Sequence, residues 1–452
     1  MNGDDMKNFS IWKDHKIERN YEELKEDKEV DVLIIGGGLT GVSSLYHLRE
    51  SNLKVMLVEQ NKIGHGVTGN STGKLTYLQN DLLDKIRFFY DDKILSKYLS
   101  SQIKTIKKIK EVIEKEQIDC DLEEVDSYLY TNKTKEIEKL KDLERLLLEN
   151  NIPIIEETIL FVKSKFMIKG KNTYLFHPIK FLYGLLKKNP FPIYEHTSIR
   201  KIEKEEDHYI CYTNNDNRIK TKIIILASHY PYFIKPFYFP LKVSLEKSYL
   251  SASIFPTKPF SLISYSNPFI SIRTHNDYLI YLSNSHSLNK DTCDKENFKE
   301  LLKKLKDFQI TPEYCWSNID IMTSDSLPFI GEIDKNMYLG TGYNTWGLTN
   351  GFLAGKIITD IILERKNEYI ELFSPKRLNE KHILSYIGNT YKNIDGYMKG
   401  YTSSNKTKYK CPHLGCRLIY NELESTFECP CHGSKFREDG TCISAPANKD
   451  LK

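Results

Sequence analysis

One segment near the amino terminus constrains the fold more than any other, because it places a strand, a glycine-rich turn, a helix and a second strand in direct succession. Residues 30–35 and 54–58 are apolar runs, and residues 39–48 have the period of a helix. Glycines between strand and helix permit a tight turn, let backbone amides approach a pyrophosphate and let the helix pack closely on the strand. An acid after the second strand accepts hydrogen bonds from ribose hydroxyls. The predicted dinucleotide-binding residues are Gly36, Gly37, Gly38, Leu39, Thr40, Gly41 and Glu59.

A loop rich in small and hydroxyl-bearing residues follows the second strand, at residues 64–75. Such residues suit backbone contact with a second phosphate and with the edge of a flavin, so the pattern favours FAD over NAD. No second strand–GxGxxG–helix unit occurs in the chain, which argues against a built-in nicotinamide domain. The additional residues assigned to FAD in this region are Gln60, Thr72, Gly73, Lys74 and Leu75.

Several later segments resemble the glycine and D-amino-acid oxidase superfamily of FAD enzymes, and the resemblance spans almost all of residues 10–375. Residues 325–331 and 340–351 are similar to the closing segments of that family, where a helix amino terminus faces the electron-rich end of the flavin ring. Residues 197–199 and 224–231 resemble the segments beside the adenine and the ribose. The resemblance implies that FAD also contacts Ile199, Ala227, Gly342, Thr345, Trp346, Gly347 and Leu348.

The carboxyl-terminal forty or so residues contain a dense group of cysteines and histidines. A Rieske [2Fe–2S] centre takes two thiolates on one iron and two imidazoles on the other, and Cys-x-His and Cys-x-x-His loops supply them. The predicted ligands are Cys411, His413, Cys429 and His432. Structural zinc bound by four sulfurs is the alternative, although zinc accounts for neither histidine.

Two more cysteines of this group, Cys416 and Cys431, stand where Rieske proteins of the cytochrome-complex type form a disulfide between the cluster loops. The resemblance implies the same disulfide here. Ser434 matches a common hydrogen-bond donor to the cluster, whereas Phe436 stands where high-potential Rieske proteins often carry a tyrosine. Fewer hydrogen bonds to the cluster stabilise its reduced state less, so we expect a potential below that of the respiratory type.

The order of these patterns predicts a mixed α/β (α+β) chain. We expect a Rossmann-type FAD-binding domain with an interleaved substrate domain, and a small all-β Rieske domain at the carboxyl end. Residues 81–117 have the pattern of one long amphipathic helix. The predicted boundaries are an amino-terminal extension at 1–29, an oxidoreductase at 30–375 with FAD-binding segments 30–80, 155–230 and 320–365, a linker at 376–400 and the Rieske domain at 401–452.

Charge and hydropathy argue against two classes of function. Lys and Arg number 65 against 61 Asp and Glu, and these charges are interspersed, so the sequence gives no case for nucleic acid as a partner. No stretch reaches the roughly eighteen uncharged apolar residues that span a bilayer, and the first thirty residues lack the apolar run of a signal peptide. We therefore expect a cytoplasmic protein without a membrane span.

A flavin site combined with a Rieske site resembles the Rieske-containing FAD-dependent oxidoreductases of the amino-acid-oxidase superfamily. That resemblance implies dehydrogenation of an amine or amino acid C–N bond by hydride transfer to FAD, with electrons passing through the cluster to an external electron carrier. The alternatives are a flavin and iron–sulfur module that serves a protein partner without its own small-molecule turnover, and a plain oxidase with a vestigial tail. The candidate catalytic residues are Arg273, a possible partner for a substrate carboxylate, and His286; a structural role is equally open for both.

Overall fold

The computed structural model contains three β-sheets and several helices. It describes residues 6–16, 19–156, 162–231, 239–288, 294–377, 398 and 406–452. The strands in these ranges are β1 (Lys28–Ile35), β2 (Val55–Val58), β3 (Lys74–Leu75), β4 (Glu123–Thr131), β5 (Ile154–Glu156), β6 (Phe166–Leu175), β7 (Ile193–Tyr194), β8 (Ile199–Lys204), β9 (Tyr209–Thr213), β10 (Arg218–Leu226), β11 (Val243–Ile254), β12 (Ser261–Ser264), β13 (Ser271–His275), β14 (Tyr278–Ser287), β15 (Tyr314–Thr323), β16 (Phe329–Asp334), β17 (Met337–Thr341), β18 (Lys406–Lys410), β19 (Arg417–Asn421), β20 (Thr426–Glu428), β21 (Lys435–Arg437) and β22 (Cys442–Ser444). The α-helices are α1 (Leu39–Leu48), α2 (Leu82–Phe89), α3 (Asp92–Glu116), α4 (Ile137–Glu149), α5 (Pro178–Leu186), α6 (Phe239–Lys242), α7 (Asp294–Asp307), α8 (Gly347–Ile362) and α9 (Ile370–Phe373).

The first sheet has the parallel core that the amino-terminal pattern predicts. Its order is β16-β17-β10-β1-β2-β7, with β1 parallel to both β2 and β10. Strands β8 and β9 form a hairpin on β10. The residues of β2 are all buried, as expected for a strand covered on both faces. Helices α1 and α8 pack against each other beside this sheet, and Gly355 makes room because an added Cβ would lie 2.4 Å from Ser43 Oγ. The first sheet therefore holds the glycine turn at the carboxyl end of β1.

The second sheet forms the opposite wall of the molecule's central cavity. Its order is β15-β11-β14-β13-β12-β4-β6-β3, with β5 on β6, and only β12 and β4 pair in parallel. Strand neighbours alternate between the two faces of a sheet. On β15, Asn318 and Asp320 face the cavity, whereas Ser317 and Ile319 face the carboxyl-terminal domain. At this strand, the cavity and the carboxyl-terminal domain therefore lie on opposite faces of the second sheet.

The third sheet is an antiparallel arrangement of β18 to β22, as the all-β prediction for the carboxyl end requires. Its core contains Leu418 and Phe436, both fully buried, together with the cysteines of the two cluster loops. A buried ion pair fixes this sheet to the rest of the chain, because Lys247 Nζ on β11 lies 2.6 Å from Glu428 Oε2 on β20 and 2.8 Å from Asp294 on α7. The domain is thus docked through charge as well as through packing.

One predicted helix differs from the structure. The pattern over residues 81–117 forms two helices, α2 and α3, which are interrupted at Tyr90 and Asp91. Asp91 has extended backbone geometry, and its side chain accepts a hydrogen bond of 2.8 Å from Ile94 N, which is the geometry of an N-cap. The apolar period continues through the interruption, so the hydrophobic pattern alone did not reveal it.

Both predicted flanking segments contact the folded body where they are described. Trp12, in the predicted amino-terminal extension, is fully buried and donates from Nε1 to Ser71 O at 2.7 Å. Arg377, in the predicted linker at 376–400, forms an ion pair with Asp325 at 2.6 Å. Apart from residues 376, 377 and 398, that linker lies outside the described residues, and the domain boundaries are kept as a proposal. In the described ranges, no helix is long and apolar enough to cross a membrane.

Candidate functional site

A large cavity lies between the first two sheets, where the carboxyl ends of the parallel strands meet the second sheet. The glycine turn, the loop after β2, the start of α8 and strands β11 and β15 all contribute to its lining. The predicted FAD residues that line it are Gly36, Gly38, Leu39, Thr40, Glu59, Gln60, Thr72, Lys74, Ile199, Ala227, Thr345, Trp346, Gly347 and Leu348.

The glycine turn leaves little room for side chains, because an added Cβ would meet the backbone of neighbouring segments. Gly36 has a φ of +114°, and an added Cβ would lie 2.5 Å from Ala227 O. An added Cβ on Gly41 would lie 1.9 Å from Gly36 O, so only glycine lets α1 approach β1 this closely. The amino terminus of α1 faces the cavity, because Gly38, Leu39 and Thr40 line it, and this position suits the pyrophosphate of a dinucleotide.

Glu59 lies beside this glycine turn, at the end of β2. Its carboxylate accepts hydrogen bonds from Gly37 N at 2.6 Å and from Asn61 N at 2.8 Å. Burial nevertheless raises the pKa of Glu59. A carboxylate in this position is placed to accept the ribose hydroxyls, so the residues present fit an adenine dinucleotide.

Other residues assigned to FAD support the wall without lining it. They are Gly37, Gly41, Gly73, Leu75 and Gly342. Leu75 belongs to the hydrophobic core, while Gly73 and Gly342 both have a φ of +71°, the left-handed region that favours glycine.

Several lining residues were not predicted. Thr68 Oγ1 accepts a hydrogen bond from Leu39 N at 3.1 Å, and the hydroxyls of Thr40 and Tyr343 are 2.6 Å apart. A hydroxyl-rich loop was the only sequence signal for Thr68, whereas Tyr343 lies three hundred residues from its partner. The other cavity residues near the predicted FAD contacts that were missed are Asn61, Val67, Asn70, Ser71, Ser228 and His229.

Helix α8 presents its amino terminus to the same cavity. It begins at Gly347, directly after Trp346, and both residues line the cavity. The indole N–H of Trp346 is buried and has no hydrogen-bond partner among the described residues. A helix amino terminus and an unsatisfied donor both favour an electron-rich acceptor, and the electron-rich end of a flavin ring provides one.

Arg273 lies behind the cavity wall, not in its lining. It is 1% exposed, its Nε donates to Thr274 O at 2.7 Å, and its Nη1 donates to the carbonyls of Thr72, Gly73 and Phe176. We therefore reassign Arg273 from a partner of a substrate carboxylate to a support for the loop at 72–73. The resemblance located its strand correctly but not the face on which its side chain lies.

His286 also lies away from the cavity lining. Its Nε2 is 3.0 Å from Tyr249 Oη and its Nδ1 is 2.9 Å from Ser287 O. Tyr249 in turn hydrogen-bonds Asp294, which belongs to the ion-pair network under the carboxyl-terminal domain. His286 is therefore better explained as part of that network than as a group that contacts substrate.

Two short loops, 411–416 and 429–434, present the predicted cluster ligands. In each loop the first residue donates its N–H to the carbonyl of the last at 2.8 Å, and the glycine donates to the first carbonyl at 2.9 Å. Those glycines, Gly415 and Gly433, have φ values of +75° and +76°. The two loops thus have nearly the same backbone hydrogen bonds, and their sequences share the first cysteine, the proline after it and the glycine at the fifth position.

The ligand atoms are buried and suit an iron–sulfur cluster. The rings of His413 and His432 lie with centroids 5.1 Å apart, and both Nδ1 atoms are buried without a partner among the described residues. Burial, with the nearby His413, lowers the pKa of His432 to about 4, so its imidazole is neutral, as ligation requires. A hydrogen bond between the thiols of Cys411 and Cys429 lowers the pKa of Cys411 and raises that of Cys429. The two imidazole rings therefore lie side by side, and the thiols of Cys411 and Cys429 lie within hydrogen-bond distance of each other, all in buried residues of the two loops.

Cys416 and Cys431 form a disulfide that joins the two loops. The sulfurs of Cys416, Cys429 and Cys431 lie within 4.8 Å of one another, which by distance alone would suit a metal ion. Because two of these three sulfurs are bonded to each other, the set offers a single thiolate. The four-sulfur zinc site therefore does not form in this structure, and the donors left are those that a Rieske cluster uses.

The cluster domain also forms part of the wall of the FAD cavity. Gln60 Nε2 donates to Cys442 O at 2.9 Å, and Asn61 Nδ2 donates to Ile443 O at 3.2 Å. Residues 443–445 line the cavity itself. On the same side, the ring of His432 lies 5.5 Å from that of Tyr230, between centroids. The two sites therefore adjoin, a contact that no local sequence pattern indicated.

Comparisons with known proteins agree with both sites. The family described as FAD dependent oxidoreductase matches residues 31–361, and the Rieske [2Fe-2S] domain matches residues 405–452. The "Putative Rieske 2Fe-2S iron-sulfur protein YhfW" of Bacillus subtilis (strain 168) is 28% identical over 495 residues, which cover 98% of this chain and 97% of the relative. The gamma-glutamylputrescine oxidoreductase of Escherichia coli (strain K12) is 23% identical over 76% of this chain and 85% of its own. The L-amino acid deaminase from Proteus vulgaris has a similar fold, with a TM-score of 0.65 at 15% identity over 80% of this chain and 100% of that chain.

Proposed function

Because this chain belongs to the FAD dependent oxidoreductases and ends in a Rieske [2Fe–2S] domain, we propose that it dehydrogenates the C–N bond of an amine or amino acid. The electrons then leave through the cluster to an external carrier. When bound, FAD supplies two-electron hydride chemistry and the [2Fe–2S] cluster supplies one-electron transfer, so that together they link a two-electron donor to a one-electron acceptor.

The contact between the two cofactor sites is the observation that carries this proposal. The backbone carbonyls of Cys442 and Ile443 accept hydrogen bonds from Gln60 and Asn61, the two residues that follow the ribose-binding acid Glu59. Strand β15 has the cavity on one face and, on the other, the contact of Ile319 with Gly433 of the second cluster loop. A cluster domain placed against the flavin cavity is positioned to receive electrons from it directly.

The chain's own residues divide the work between holding FAD and excluding water. The glycine turn and the start of α1 would hold the pyrophosphate of FAD, and Glu59 would hold its ribose. The start of α8 would lie beside the flavin ring, where its positive end favours negative charge. Residues 443–445 cover the cavity from the cluster side. Hydride transfer from a neutral amine needs no dedicated acid or base, which agrees with the placement of Arg273 and His286 away from the cavity lining.

Two relatives support an amine or amino acid as the donor. One is named as a gamma-glutamylputrescine oxidoreductase, and a structural neighbour is named as an L-amino acid deaminase. Both names describe compounds that carry a C–N bond. The cytoplasmic location, the absence of a nucleic-acid partner and the external carrier stay predictions.

A panel of amines and amino acids, mixed anaerobically with the holoenzyme, tests the proposal. We expect at least one donor to bleach the flavin and then to produce the electron paramagnetic resonance signal of a reduced Rieske cluster. In Cys429→Ser the flavin should still bleach, but electron delivery to a one-electron acceptor should fall by about tenfold or more. If no donor bleaches the flavin while a reduced carrier protein does, the chain is an electron-transfer module. Unchanged turnover in Cys429→Ser would instead indicate an oxidase with a vestigial tail.

A further inference from the structure

A second cavity, of about 640 Å³, adjoins the FAD cavity on the side of the cluster domain. The cluster ligand His432 lines it, and residues 443–445 line both cavities. Among the described residues, His229 is the only one with an aromatic ring that lines both cavities, and the next residue, Tyr230, lines the second. Two consecutive side chains therefore lead from the FAD cavity to a ligand of the cluster.

The backbone of His229 is held in an uncommon conformation. Its φ is +63°, in the left-handed region, and residues that the surrounding structure holds there cluster at functional sites. Thr341 Oγ1, on β17, donates to the carbonyl of His229 at 2.5 Å. The imidazole Nε2 is buried and has no hydrogen-bond partner among the described residues, a cost that a group bound in the cavity can remove. His229 is therefore fixed at the boundary of the two cavities and keeps a polar atom for a ligand there.

The ring of Tyr230 is packed between the core of the first sheet and the cluster domain. It is 4% exposed and belongs to the same apolar core as Phe239 and Phe329. Phe239 meets it edge-on, with centroids 5.4 Å apart and ring planes at 90°. The ring of His432 lies 5.5 Å from it, with the planes at 59°. An aromatic ring held in this way restricts the orientation of the imidazole that it contacts.

The second imidazole ligand has a different environment. Among the described residues, the ring of His413 contacts that of His432, at 5.1 Å between centroids, and no other aromatic ring. Pro412 and Leu414, on either side of His413, are exposed, Leu414 by 50%. Of the two imidazole ligands, His432 is therefore the one in contact with the part of the chain that forms the FAD cavity.

We propose that electrons pass from the FAD cavity to the cluster through His229 and Tyr230, and that Tyr230 is the positioning residue for His432. Each step moves one electron: the reduced flavin loses it, and one ferric ion of the cluster becomes ferrous. The second electron follows once the external carrier has taken the first. Electron transfer slows steeply as the gap between two cofactors widens, so packed rings in that gap are the contribution expected of the protein. This inference rests on the proposed transfer from flavin to cluster, but not on the identity of the substrate.

Flash photoreduction of the flavin in the holoenzyme, without substrate, tests this route. The iron and FAD contents of every variant are measured first. Tyr230→Leu removes the ring, so cluster reduction should slow by about tenfold or more, and the g values of the reduced cluster should shift because His432 is less restrained. Tyr230→Phe keeps the ring and should restore the rate to within about twofold and the g values fully. His229→Asn tolerates the left-handed backbone and should slow the transfer by about threefold or more with the g values unchanged.

Phe9→Leu is the matched control, because Phe9 also lines the second cavity but its ring contacts Tyr314, at 6.0 Å between centroids. It should transfer electrons as the unaltered protein does. If Tyr230→Leu does not retain the cluster, His229→Asn decides the route by itself. Transfer at the unaltered rate in Tyr230→Leu or His229→Asn, or an equal slowing in Phe9→Leu, would overturn the route and leave the proposed function standing. Transfer that depends on these residues, without bleaching of the flavin by any amine, would support the route and refute the dehydrogenase.

Discussion

The cluster site and the flavin cavity are built in opposite ways. The four cluster ligands lie between Cys411 and His432, in two loops of one small sheet that repeat the same hydrogen bonds. The cavity instead draws its lining from residues between Ile35 and Ala445, which two large sheets and a helix bring together. A site made from neighbouring residues leaves its full pattern in the sequence. A cavity assembled from distant strands can be recognised in the sequence only at the glycine turn, where neighbouring residues form one part of it.

Loss of one cluster ligand is the largest effect that this comparison predicts. Cys429→Ser removes a thiolate, so iron should fall from about two per chain to about zero while FAD is retained. Cys442→Ser is the control, since Cys442 lies in the same sheet with its Sγ 3.2 Å from Ala447 O, outside the ligand set. Iron analysis and flavin absorbance measure both contents. If Cys429→Ser retains its iron, or if it loses FAD together with iron, the two sites do not form independently of each other.

Gly41→Ala tests the one part of the cavity that the sequence encodes locally. The added Cβ would meet Gly36 O, so α1 must move away from β1, and overpacking of this kind costs roughly 1–3 kcal/mol. We expect FAD affinity to fall by about tenfold or more, measured by flavin release in a dilution titration. Ser44→Ala, in the same helix, removes a hydrogen bond to Thr40 O and should cost about 1 kcal/mol with FAD retained. Equal FAD loss in both variants would contradict the proposal that the glycine turn holds FAD.

Lys247→Met tests the attachment of one region to the other. Lys247 is 2% exposed and pairs with Glu428 and Asp294, so its removal takes one of two cations from the buried Glu428, which still pairs with Lys435 at 3.0 Å, and takes the cation from the partly buried Asp294. We expect a loss of about 1–3 kcal/mol of stability, seen as faster hydrogen exchange in the cluster domain. Lys295→Met is the control: its contact with Glu422 also joins α7 to this domain but is exposed and contributes at most about 1 kcal/mol. Similar hydrogen exchange in both variants would show that the buried ion pairs of Lys247 do not stabilise the attachment of the cluster domain.

Particular residues show which parts of the two sites could be predicted from the sequence. The turn at 36–41 and the cluster ligands were predictable because short spacings dictate their geometry. Glu246 and Asp320 were not, because each stands alone in its strand and only the register of β11 and β15 brings them together. The sequence left both a substrate contact and a structural role open for Arg273, because the direction of its side chain depends on how the strand packs. The contact of residues 443–445 with the cavity depends on docking, which follows from no periodic pattern.

The lining of the FAD cavity includes a carboxyl group whose charge changes near neutral pH. Because burial and the neighbouring Glu246 raise the pKa of Asp320 to about 7, this group gains negative charge as pH increases through 7, and the affinity for a cationic amine should rise by up to about tenfold. The other titratable groups of the cavity lining are Glu59, Lys74, His229, Glu246 and Tyr343. Asp320→Asn should flatten the profile. A profile unchanged by that substitution would assign the titration to another group.

The smallest effect is expected at the hydrogen bonds between the two sites. Gln60→Ala removes the donor to Cys442 O, a contribution of about 1 kcal/mol. Transfer from flavin to cluster should slow by a few fold, with flavin reduction unchanged, because the docking also depends on Lys247. Stopped-flow traces of the two cofactors separate these steps. A slower flavin reduction would mean that Gln60 acts on FAD itself.

Transfer between the two cofactors within one chain is the central claim, and flash photoreduction of the flavin tests it without any substrate. After a light flash in the presence of a sacrificial donor, cluster reduction is followed by absorbance at several protein concentrations. Because the cavity and the cluster domain share a wall, the rate should be first order and independent of protein concentration. A rate that grows in proportion to protein concentration, or a cluster that stays oxidised beside reduced flavin, would contradict the account.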